Sequence, residues 1–522
     1  TPTNCSSRPC TYLLDTAGAT ATSGENDELQ AALDDAERGD TIELTVGKIW
    51  TGTSGTLTGS FDIYNVAGSS GYLTIRTTAY AKLPAAGTRV TPSHAGNMAR
   101  LQLTSATNNA LVRFTAGASA AAYVKFVGIE FYNPSLGYSD NSGLDLIRIG
   151  NPGTIVSASS LPNFIEFYSC YLHANTTAGA ENRNAILANG KNITVQDSWI
   201  SEIKMANSVE THAIVWYDTP GPVTLTNNWI EAVGIPVLIG GGAQTVLDAT
   251  MMPSNMSITR NTFHKPLKWY SADPSWTGTT YRNKNMIEWK IGVNNTLQYN
   301  SFFNNFFGST NDQAGQVIAV NIRLPDGCTI ACDSFAKTDN TTIRDNHIKG
   351  SLGVFSVLGT DDNFSDTGIV DNLTVTNNLA HDISCSWSYL GCVEFTVGPQ
   401  FYRHIGGGRR LAFTHNTIEA DTDVGMYFYW NGGSTSTPDV SGLVFNNNIS
   451  LYGGNGWKAD GTAAGEASVN ARTDAATYPV DIRYNVMSGS ASGSWDGCTA
   501  PRVCGNGVYP TTADFIANTA QL

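Results

Sequence analysis

Charged residues are scarce in this chain of 522 residues, since Asp, Glu, Lys and Arg together make up 14% of it. Basic residues are the scarcer kind, with 30 Lys and Arg against 44 Asp and Glu, and the formal net charge is −14. Nucleic-acid binders present a Lys/Arg face to the phosphates, so the composition argues against a nucleic-acid partner. Apolar runs of about 18 residues are also missing, and the sequence therefore predicts no membrane span.

Cysteine is rare as well, at nine residues, but its spacing is informative. Eight of the nine fall into close pairs, which is typical of local disulfides in exported proteins. Zinc is the alternative, but no pair has a His or further Cys at ligand spacing. The chain begins at Thr1 as a processed mature protein would, so we expect a secreted, extracellular protein whose signal peptide has been removed. The predicted disulfides join Cys5 with Cys10, Cys328 with Cys332, Cys385 with Cys392 and Cys498 with Cys504, and Cys170 is predicted to be a buried thiol.

Helical patterns are also few, and a short phrase repeats instead: an apolar residue, a polar residue, one further residue and Asn. Successive Asn residues of the phrase are 33, 39, 46, 32, 38, 32 and 37 residues apart. Alternation before each Asn indicates a strand with one buried face, and Asn tolerates the left-handed conformation that a sharp turn requires. The residues concerned are Asn228, Asn261, Asn300, Asn346, Asn378, Asn416, Asn448 and Asn485.

Repetition at a period of tens of residues predicts a solenoid. We therefore predict an all-β, single-domain parallel β-helix of roughly ten or more coils, in which the repeated Asn side chains stack as a hydrogen-bonded ladder. The alternative is a β-sandwich rich in Asn turns. A helix over residues 25–38 is predicted to cap the first coil. The expected domains are a disulfide-pinned N-terminal segment with this helix (1–45), the β-helix (46–490) and a C-terminal cap (491–522).

Each coil is predicted to carry a further strand after the Asn turn, whose polar and aromatic side chains alternate outward. Coils stack at about 4.8 Å, so these side chains form one column on one sheet. The candidate catalytic residues are Glu288, Lys290, Arg323 and His212. The candidate substrate-binding residues are Arg148, Asn189, Tyr217, Asn321, Glu394, Tyr427, Tyr429 and Trp269.

This mixture of side chains suits carbohydrate chemistry. Carboxylates can act as acid, base or nucleophile on a glycosidic bond. In a lyase, a Lys or Arg removes the proton next to a uronate carboxyl group while another cation neutralises that group. Aromatic rings stack on sugars. A plainer interpretation is open for each residue: Glu288 and Lys290 as a surface ion pair worth under ~1 kcal/mol, His212 as a hydrogen-bonded loop residue, and the aromatic column as a partner interface.

The predicted carbohydrate chemistry requires no cofactor. The acidic loop 361–366 could hold calcium, but it lacks the spacing of an EF-hand.

Eight segments carry a resemblance to a known family: Leu29–Leu33, Gly39–Ile42, Leu83–Pro84, Gly87–Pro92, Asn227–Ala232, Arg260–Asn261, Lys265–Leu267 and Glu288–Lys290. They resemble secreted bacterial right-handed parallel β-helix repeat proteins, which have the fold of the pectate-lyase-like superfamily. The resemblance implies a right-handed solenoid, and the wider fold includes polysaccharide lyases, polygalacturonase-like hydrolases, epimerases, phage tailspikes and adhesins. The Asp-cluster motif of polygalacturonases is not found in the sequence, so a polygalacturonase-like hydrolase is less favoured.

The sequence therefore predicts a secreted protein that binds and cleaves a polysaccharide. A lyase is preferred over a hydrolase because Lys290 and Arg323 lie near Glu288. The alternative is a non-catalytic structural or adhesive solenoid that self-associates, for example into filaments.

Overall fold

The structure is a computed structural model. It describes residues 8–52, 60–104, 110–136, 145–151, 155, 157–206, 209–241, 249–309, 312, 316–323, 335–360, 368–390, 400–420, 426–430, 440–451, 456–459, 468, 471–474, 478–488, 503–504 and 507–509. The chain divides into two compact units. Unit 1 comprises residues 1–263 and 277–282, and unit 2 comprises residues 264–276 and 283–522.

Each unit is a parallel β-helix, which confirms the predicted fold class. The coils build three parallel sheets, named here in the order in which the chain visits them. Sheet 1 precedes the Asn turn, sheet 2 follows it, and sheet 3 completes the coil. Because each strand bonds to its equivalent in the next coil, residues at one coil position form a column along the sheet.

The strands of unit 1 are short, and most have three to six residues. Sheet 1 comprises Thr11–Leu14, Thr41–Leu44, Leu73–Thr77, Ala122–Val127, Asn163–Tyr168, Lys191–Gln196, Val223–Thr226 and Met256–Thr259. Sheet 2 comprises Ile49–Trp50, Ala99–Gln102, Ile129–Asn133, Tyr171–Ala174, Trp199–Ile203, Trp229–Ala232 and Thr262–His264, of which His264 belongs to unit 2. Sheet 3 comprises Phe61–Ile63, Val112–Phe114, Asp145–Ile149, Asn184–Ala188, His212–Trp216 and Val237–Ile239.

Unit 2 repeats the same plan. Its sheet 1 comprises Gly292–Gln298, Thr338–Arg344, Val370–Thr376, Arg409–Thr414, Val440–Ser441, Val444–Asn446, Thr473–Asp474, Asp481–Arg483 and Val503–Cys504. Its sheet 2 comprises Ser301–Asn305, His347–Ser351, Leu379–Ile383, Thr417–Ala420, Ile449–Leu451, Val486–Ser488 and Gly507–Tyr509. Its sheet 3 comprises Ile287–Trp289, Gln316–Asn321, Gly353–Leu358, Gln400–Ile405, Met426–Trp430 and Gly456–Ala459.

The core of each unit consists of columns of apolar side chains. Alternation within a strand sends every second side chain inward, and the parallel register places it on the equivalent residue of the next coil. Phe126 and Phe167 are in register and stack with ring centroids 5.5 Å apart. The sheet 1 column of unit 1 is Leu73, Val124, Ile165, Ile193, Val223 and Met256, and that of unit 2 is Leu297, Ile343, Val375, Phe413, Phe445 and Ile482.

The predicted Asn ladder is present in both units. In each step, one side-chain oxygen accepts hydrogen bonds from the backbone N–H and the Nδ2 group of the Asn one coil earlier. Asn228 donates both to Asn261 Oδ1, at 2.9 and 3.0 Å. Cys170 and Ser198 hold the ladder position in the preceding coils, since Cys170 N donates to Ser198 Oγ and Ser198 N donates to Asn228 Oδ1. The ladder of unit 2 runs through Asn300, Asn346, Asn378, Asn416, Asn448 and Asn485.

The sequence pattern predicts that the ladder Asn adopts the left-handed conformation in each turn, and this prediction is wrong. The residue just before the ladder Asn is left-handed instead: Asn227 has φ 54°, Tyr299 has φ 57° and His415 has φ 56°. The ladder Asn is buried and bonds along the column, while the more exposed residue before it makes the reversal.

The N-terminal α-helix spans Ser23–Asp35 rather than 25–38. It begins with a capping box between Thr22 and Glu25, which satisfies backbone N–H groups that a helix start leaves unpaired. Leu29 and Leu33 are buried and line a small apolar cavity with the core residues Leu44, Phe61, Ile63, Ile75, Leu101, Val112 and Phe126. The 3₁₀ helices among the described residues are single turns or little more: Tyr80–Lys82, Pro92–Asn97, Ala158–Ser160, Ala249–Met251, Leu267–Trp269 and Cys385–Trp387. Residues 468, 471 and 472 are also α-helical.

The cysteines can be compared with their predicted pairing only in part. Cys170 is a free, buried cysteine, as predicted, while Cys10 and Cys385 are disulfide-bonded. The strand Val503–Cys504 is described, but the side chain of Cys504 is not. Each of the four predicted pairs has at least one member outside the described residues, so the pairing itself stays a prediction. The cysteines outside the described residues are Cys5, Cys328, Cys332, Cys392 and Cys498.

Within the described part of the chain, none of the helices has the length and apolar character needed to cross a membrane.

Candidate functional site on sheet 3

Sheet 3 of unit 1 has an apolar inner face and a mixed outer face. Ile147, Ile186 and Ile214 are in register and buried in the core. The register that aligns these residues also aligns the first residues of the three strands, which are Asp145, Asn184 and His212. Three polar side chains therefore lie above one another at the first residues of these strands. Each lies two residues before a core isoleucine, and all three are buried.

These three side chains form a hydrogen-bonded chain across three coils. Asn184 Nδ2 donates to Asp145 Oδ1 at 2.8 Å, and Asn184 Oδ1 lies 2.9 Å from His212 Nδ1. Arg148 Nε donates to the other oxygen of Asp145 at 2.7 Å. Asp145, Asn184 and His212 are at most 4% exposed, so water competes little for these bonds.

The chain determines which nitrogen of His212 carries the proton. A carboxylate only accepts hydrogen bonds, so Asp145 fixes the amide of Asn184 with its Nδ2 group toward the carboxylate. The oxygen of Asn184 then faces His212, and this oxygen also only accepts. Nδ1 of His212 must therefore be the donor, and in the neutral ring Nε2 carries the lone pair.

Nε2 of His212 is buried and has no hydrogen-bond partner. The nearest carboxylate is that of Glu210, whose Oε1 lies 3.8 Å away, beyond hydrogen-bond distance. The Glu210 side chain is 29% exposed. A proton on Nε2, or a donor group of a ligand at this position, would satisfy this buried nitrogen.

The predicted site residues of unit 1 differ in location and in exposure. His212 lies at the start of a strand rather than in a loop. Arg148 is partly exposed on the outer face, as predicted. Tyr217 packs beside a small apolar cluster of Val215, Ile235 and Leu238.

The prediction for Asn189 is wrong, because this residue is fully buried. It follows the last residue of its strand, where alternation no longer applies, and its Oδ1 accepts a bond of 3.3 Å from the backbone N–H of Asp218.

In unit 2, sheet 3 presents a buried ion pair. Glu288 is 2% exposed and accepts a short hydrogen bond from Lys290 Nζ. Asn285 Nδ2 and Asn321 Nδ2 each lie 3.4 Å from a carboxylate oxygen of Glu288. The carboxylate is therefore surrounded by a cation and two amide donors, as a buried charge requires. The plainer interpretation of Glu288 and Lys290 as a surface ion pair does not fit, because Glu288 is buried, although Lys290 remains partly exposed.

The neighbouring coil supplies the other predicted residues of this group. Asn321 ends the next strand of sheet 3 and also lies near Ser356 Oγ, at 3.4 Å. Arg323 is exposed, and its backbone N–H donates to the carbonyl oxygen of Lys290 at 2.9 Å. The structure thus brings Glu288, Lys290 and Asn321 into contact, with Arg323 one coil further along.

The prediction for Trp269 is wrong, since its side chain is only 3% exposed and cannot stack on a sugar. It lies in the 3₁₀ turn Leu267–Trp269 and not on a strand of the outer face.

Glu394 and the acidic loop 361–366 lie outside the described residues, as do the side chains of Tyr427 and Tyr429 in the strand Met426–Trp430. Among the described residues, no group of three or more His, Cys, Asp or Glu side chains could hold a metal ion.

Sequence reasoning missed Asp145, Asn184 and Asn285. The sequence does contain a signal for Asp145 and Asn184, because three consecutive strands of sheet 3 begin with a polar residue directly before an apolar run. Recognising it needs the coil register, which the loops of variable length conceal.

No family model and no curated protein matches the chain. It is similar in structure to a mutant tailspike protein of E. coli bacteriophage HK620 in complex with a pentasaccharide, with 11% identity, TM-score 0.44, and coverage of 93% of this chain and 75% of that chain. It is also similar to the alginate lyase from Paenibacillus sp. str. FPU-7, with 13% identity, TM-score 0.30, and coverage of 85% and 96%. The DFA-IIIase from Arthrobacter chlorophenolicus A6 has 12% identity, TM-score 0.37, and coverage of 96% and 99%. These similarities carry no argument about the site, which rests on its own geometry.

Proposed function

We propose that this protein binds an acidic polysaccharide along sheet 3 and cleaves it by β-elimination at the first residues of the strands, with His212 as the base. The observation that carries the proposal is the chain from Asp145 through Asn184 to His212, which leaves Nε2 as an unpartnered proton acceptor. A general base needs a fixed tautomer and an open lone pair, and this chain supplies both.

β-Elimination fits the hydrogen-bonded chain of Asp145, Asn184 and His212 better than hydrolysis does. A hydrolase needs two carboxyl groups on either side of the glycosidic bond. Here Asp145 is 1% exposed and bonded to Asn184 and Arg148, while Glu210 keeps exposed surface. β-Elimination removes the proton next to the uronate carboxyl group, forms a C=C bond and breaks the bond to the glycosidic oxygen, which leaves with a proton. It therefore needs a base, a cation for the uronate carboxylate and a proton donor. His212 can return the proton that it removes to the leaving oxygen, and the partly exposed Arg148 is suited to the role of the cation.

Access to the base requires a local movement. Nε2 of His212 has no exposed surface, and Glu210 lies beside it at 3.8 Å. We propose that the substrate displaces Glu210 when it binds, so that the sugar replaces a carboxylate that repels the lone pair. No metal cofactor enters this mechanism, and activity is expected to be equal in EDTA and in calcium.

The test is incubation with a panel of acidic and neutral polysaccharides while absorbance at 235 nm and reducing ends are followed together. Elimination raises both signals, whereas hydrolysis raises reducing ends alone. The variant His212→Ala should lose at least about 100-fold in kcat/KM, with His381→Ala as a matched control elsewhere in the chain. If no polysaccharide gives either signal, or if His212→Ala cleaves like the parent protein, the proposal is wrong.

A second candidate is a non-catalytic extracellular solenoid that binds glycans or copies of itself. One observation favours it: the cations described on this face are paired with carboxylates, as in Arg113 with Asp62, Arg148 with Asp145, and Lys290 with Glu288. Glycan binding without cleavage, or filaments of the purified protein in electron micrographs, would support this candidate. Secretion is proposed for both candidates and can be checked by locating the protein in culture fractions.

A further inference from the structure

Unit 2 contains a lysine with no exposed surface. Lys265 follows the last residue of a sheet 2 strand, and its side chain points into the unit. Its Nζ lies 2.6 Å from the carbonyl oxygen of Lys284, 2.9 Å from Asn305 Oδ1 and 3.4 Å from the carbonyl oxygen of Asn285. A fourth contact, to Asn283 Oδ1, is shorter still.

These four contacts of Nζ are all with neutral oxygens, which are a kind of ligand that hard cations take in proteins. An ammonium group has three N–H donors and no acceptor, so it fits a site made only of acceptors. A neutral amine would direct its lone pair at one of these oxygens. We call this set of four oxygens the Lys265 cage.

The carboxylate of Asp312 lies close enough to the Lys265 cage for its charge to act on Lys265. Asp312 accepts a hydrogen bond of 2.8 Å from the backbone N–H of Asn283, and further bonds from Gly308 and Ser309. Burial lowers the pKa of Lys265 well below its ordinary value, and the charge of Asp312 opposes that effect. The carboxylate thus favours a cation at Nζ without touching it.

The Lys265 cage is connected to the ion pair of sheet 3. Lys265 holds the segment 283–285 through the side chain of Asn283 and the carbonyl oxygens of Lys284 and Asn285. Asn285 then directs its Nδ2 group at Glu288, at 3.4 Å. Displacing the segment would therefore displace a donor of the Glu288 carboxylate.

We infer that the Lys265 cage is a monovalent-cation site which the protein fills with its own ammonium group, and that Lys265 is a positioning residue for Glu288. The cage should accept a free alkylammonium or ammonium ion when the lysine side chain is removed. The part concerning Glu288 rests on the proposed function of sheet 3, whereas the part concerning the cation does not.

The first test measures stability and needs no substrate. Lys265→Ala removes the Nζ donor from four buried acceptors, and its Tm should fall by at least about 5 °C. Propylammonium chloride has the atoms that this substitution removes, so it should restore at least half of the loss. Choline chloride at equal ionic strength has no N–H group and should restore nothing. Lys349→Ala, at an exposed lysine of the same unit, is the matched control and should respond to neither salt.

The inference is overturned if Tm of Lys265→Ala equals that of the parent protein, or if choline restores it as well as propylammonium does. Should Lys265→Ala not fold when expressed, it is refolded with each salt, and a soluble yield that does not depend on the amine overturns the inference. Lys265→Met supplies a further check, since it keeps the apolar stem without the cation. A Met variant as stable as the parent protein would show that the cage needs no charge.

The second test concerns position and uses any polysaccharide that the parent protein cleaves. Glu288 lies on the surface proposed to bind the polysaccharide and not beside His212. Lys265→Ala should therefore raise KM at least about threefold with kcat nearly unchanged, and propylammonium should restore KM. An unchanged KM in a folded Lys265→Ala protein overturns the positioning role. If the parent protein cleaves nothing, the proposed function fails while the Tm experiment still decides whether the cage holds a cation.

Discussion

At the scale of single residues, many buried polar groups in this protein are satisfied by residues of adjacent coils, tens of positions away in sequence. Asn184 shows the consequence most clearly, because one amide group bonds to Asp145 on one side and His212 on the other. The orientation of the amide follows from the carboxylate, and the tautomer of the histidine follows from the amide. A residue that touches no substrate can therefore decide whether His212 acts as a base.

Replacing Asn184 by Leu should remove this control at nearly constant volume. Asp145 and His212 each lose a buried hydrogen bond, and we expect the free energy of unfolding to fall by about 2–4 kcal/mol in total. Urea denaturation measures this fall. In any active preparation, kcat should fall by about 10- to 100-fold, because the ring of His212 is no longer held in one orientation.

Asn377→Gly, at an exposed left-handed position in unit 2, is the control for the loss of an Asn side chain. A stability of Asn184→Leu equal to that of the parent protein would contradict the hydrogen-bonded chain.

Glu130 gives a prediction about pH. Burial raises its pKa, but hydrogen bonds from His173 and Arg100 lower it by more, so the net pKa lies below the ordinary value of 4.5. A carboxylate whose pKa is lower in the folded protein stabilises the fold above its unfolded-state pKa, and this stabilisation is lost as pH falls through the folded-state pKa. Between pH 7 and pH 3, the free energy of unfolding should therefore fall less in Glu130→Gln than in the parent protein.

Urea denaturation at a series of pH values measures this difference. The matched control is Glu43→Gln, which breaks the more exposed pair with Arg76 and should have a smaller effect on stability. Parallel pH curves for Glu130→Gln and the parent protein would rule out the predicted linkage.

At the scale of elements, the repeated phrase predicts more than any other part of the sequence. All eight Asn residues that it marks lie in the ladder, because a buried amide can bond both to the neighbouring coil and to the backbone, and few other side chains can do so. Alternation before each Asn likewise predicts the buried columns of sheet 1. What the phrase does not reveal is that the preceding residue adopts the left-handed conformation.

The candidate site was less predictable, for a physical reason. Alternation assigns faces only within a strand, so it fails for Asn189, which follows a strand, and for Trp269, which lies in a 3₁₀ turn. Contacts between coils depend on register, and loops of variable length hide the register of sheet 3. Glu288 and Lys290 were found because they lie two apart in sequence, whereas Asp145 and Asn184 lie in different coils.

The ladder itself can be tested with Asn416→Ala. Asn416 Oδ1 accepts two bonds from Asn378, and its Nδ2 donates to Asn448 and to the carbonyl oxygen of Val375. Alanine leaves these buried partners unsatisfied, and the free energy of unfolding should fall by about 3 kcal/mol or more. Asn377→Gly removes a neighbouring exposed side chain while keeping the φ of 53° accessible, and should change stability by less than about 1 kcal/mol. Equal effects of the two substitutions in urea denaturation would argue against a stabilising ladder.

At the scale of the whole molecule, the chain contains two units that each have their own columns of buried apolar side chains. In a solenoid each coil contacts mainly its neighbours, so cooperativity decays along the repeat and long arrays unfold in more than one step. The predicted helix cap and the ladder of unit 2 belong to different units. A substitution in one should therefore affect one unfolding step more than the other.

Differential scanning calorimetry can test this expectation. The parent protein should show a calorimetric enthalpy above the van't Hoff enthalpy, as expected when unfolding is not two-state. Leu29→Ala removes a buried side chain of unit 1 and should cost about 2–5 kcal/mol, which would shift one component of the transition to lower temperature. Asn416→Ala should shift the other component. If both variants move a single transition with equal calorimetric and van't Hoff enthalpies, the two units unfold as one cooperative body, and the apolar columns of the chain then act as a single core.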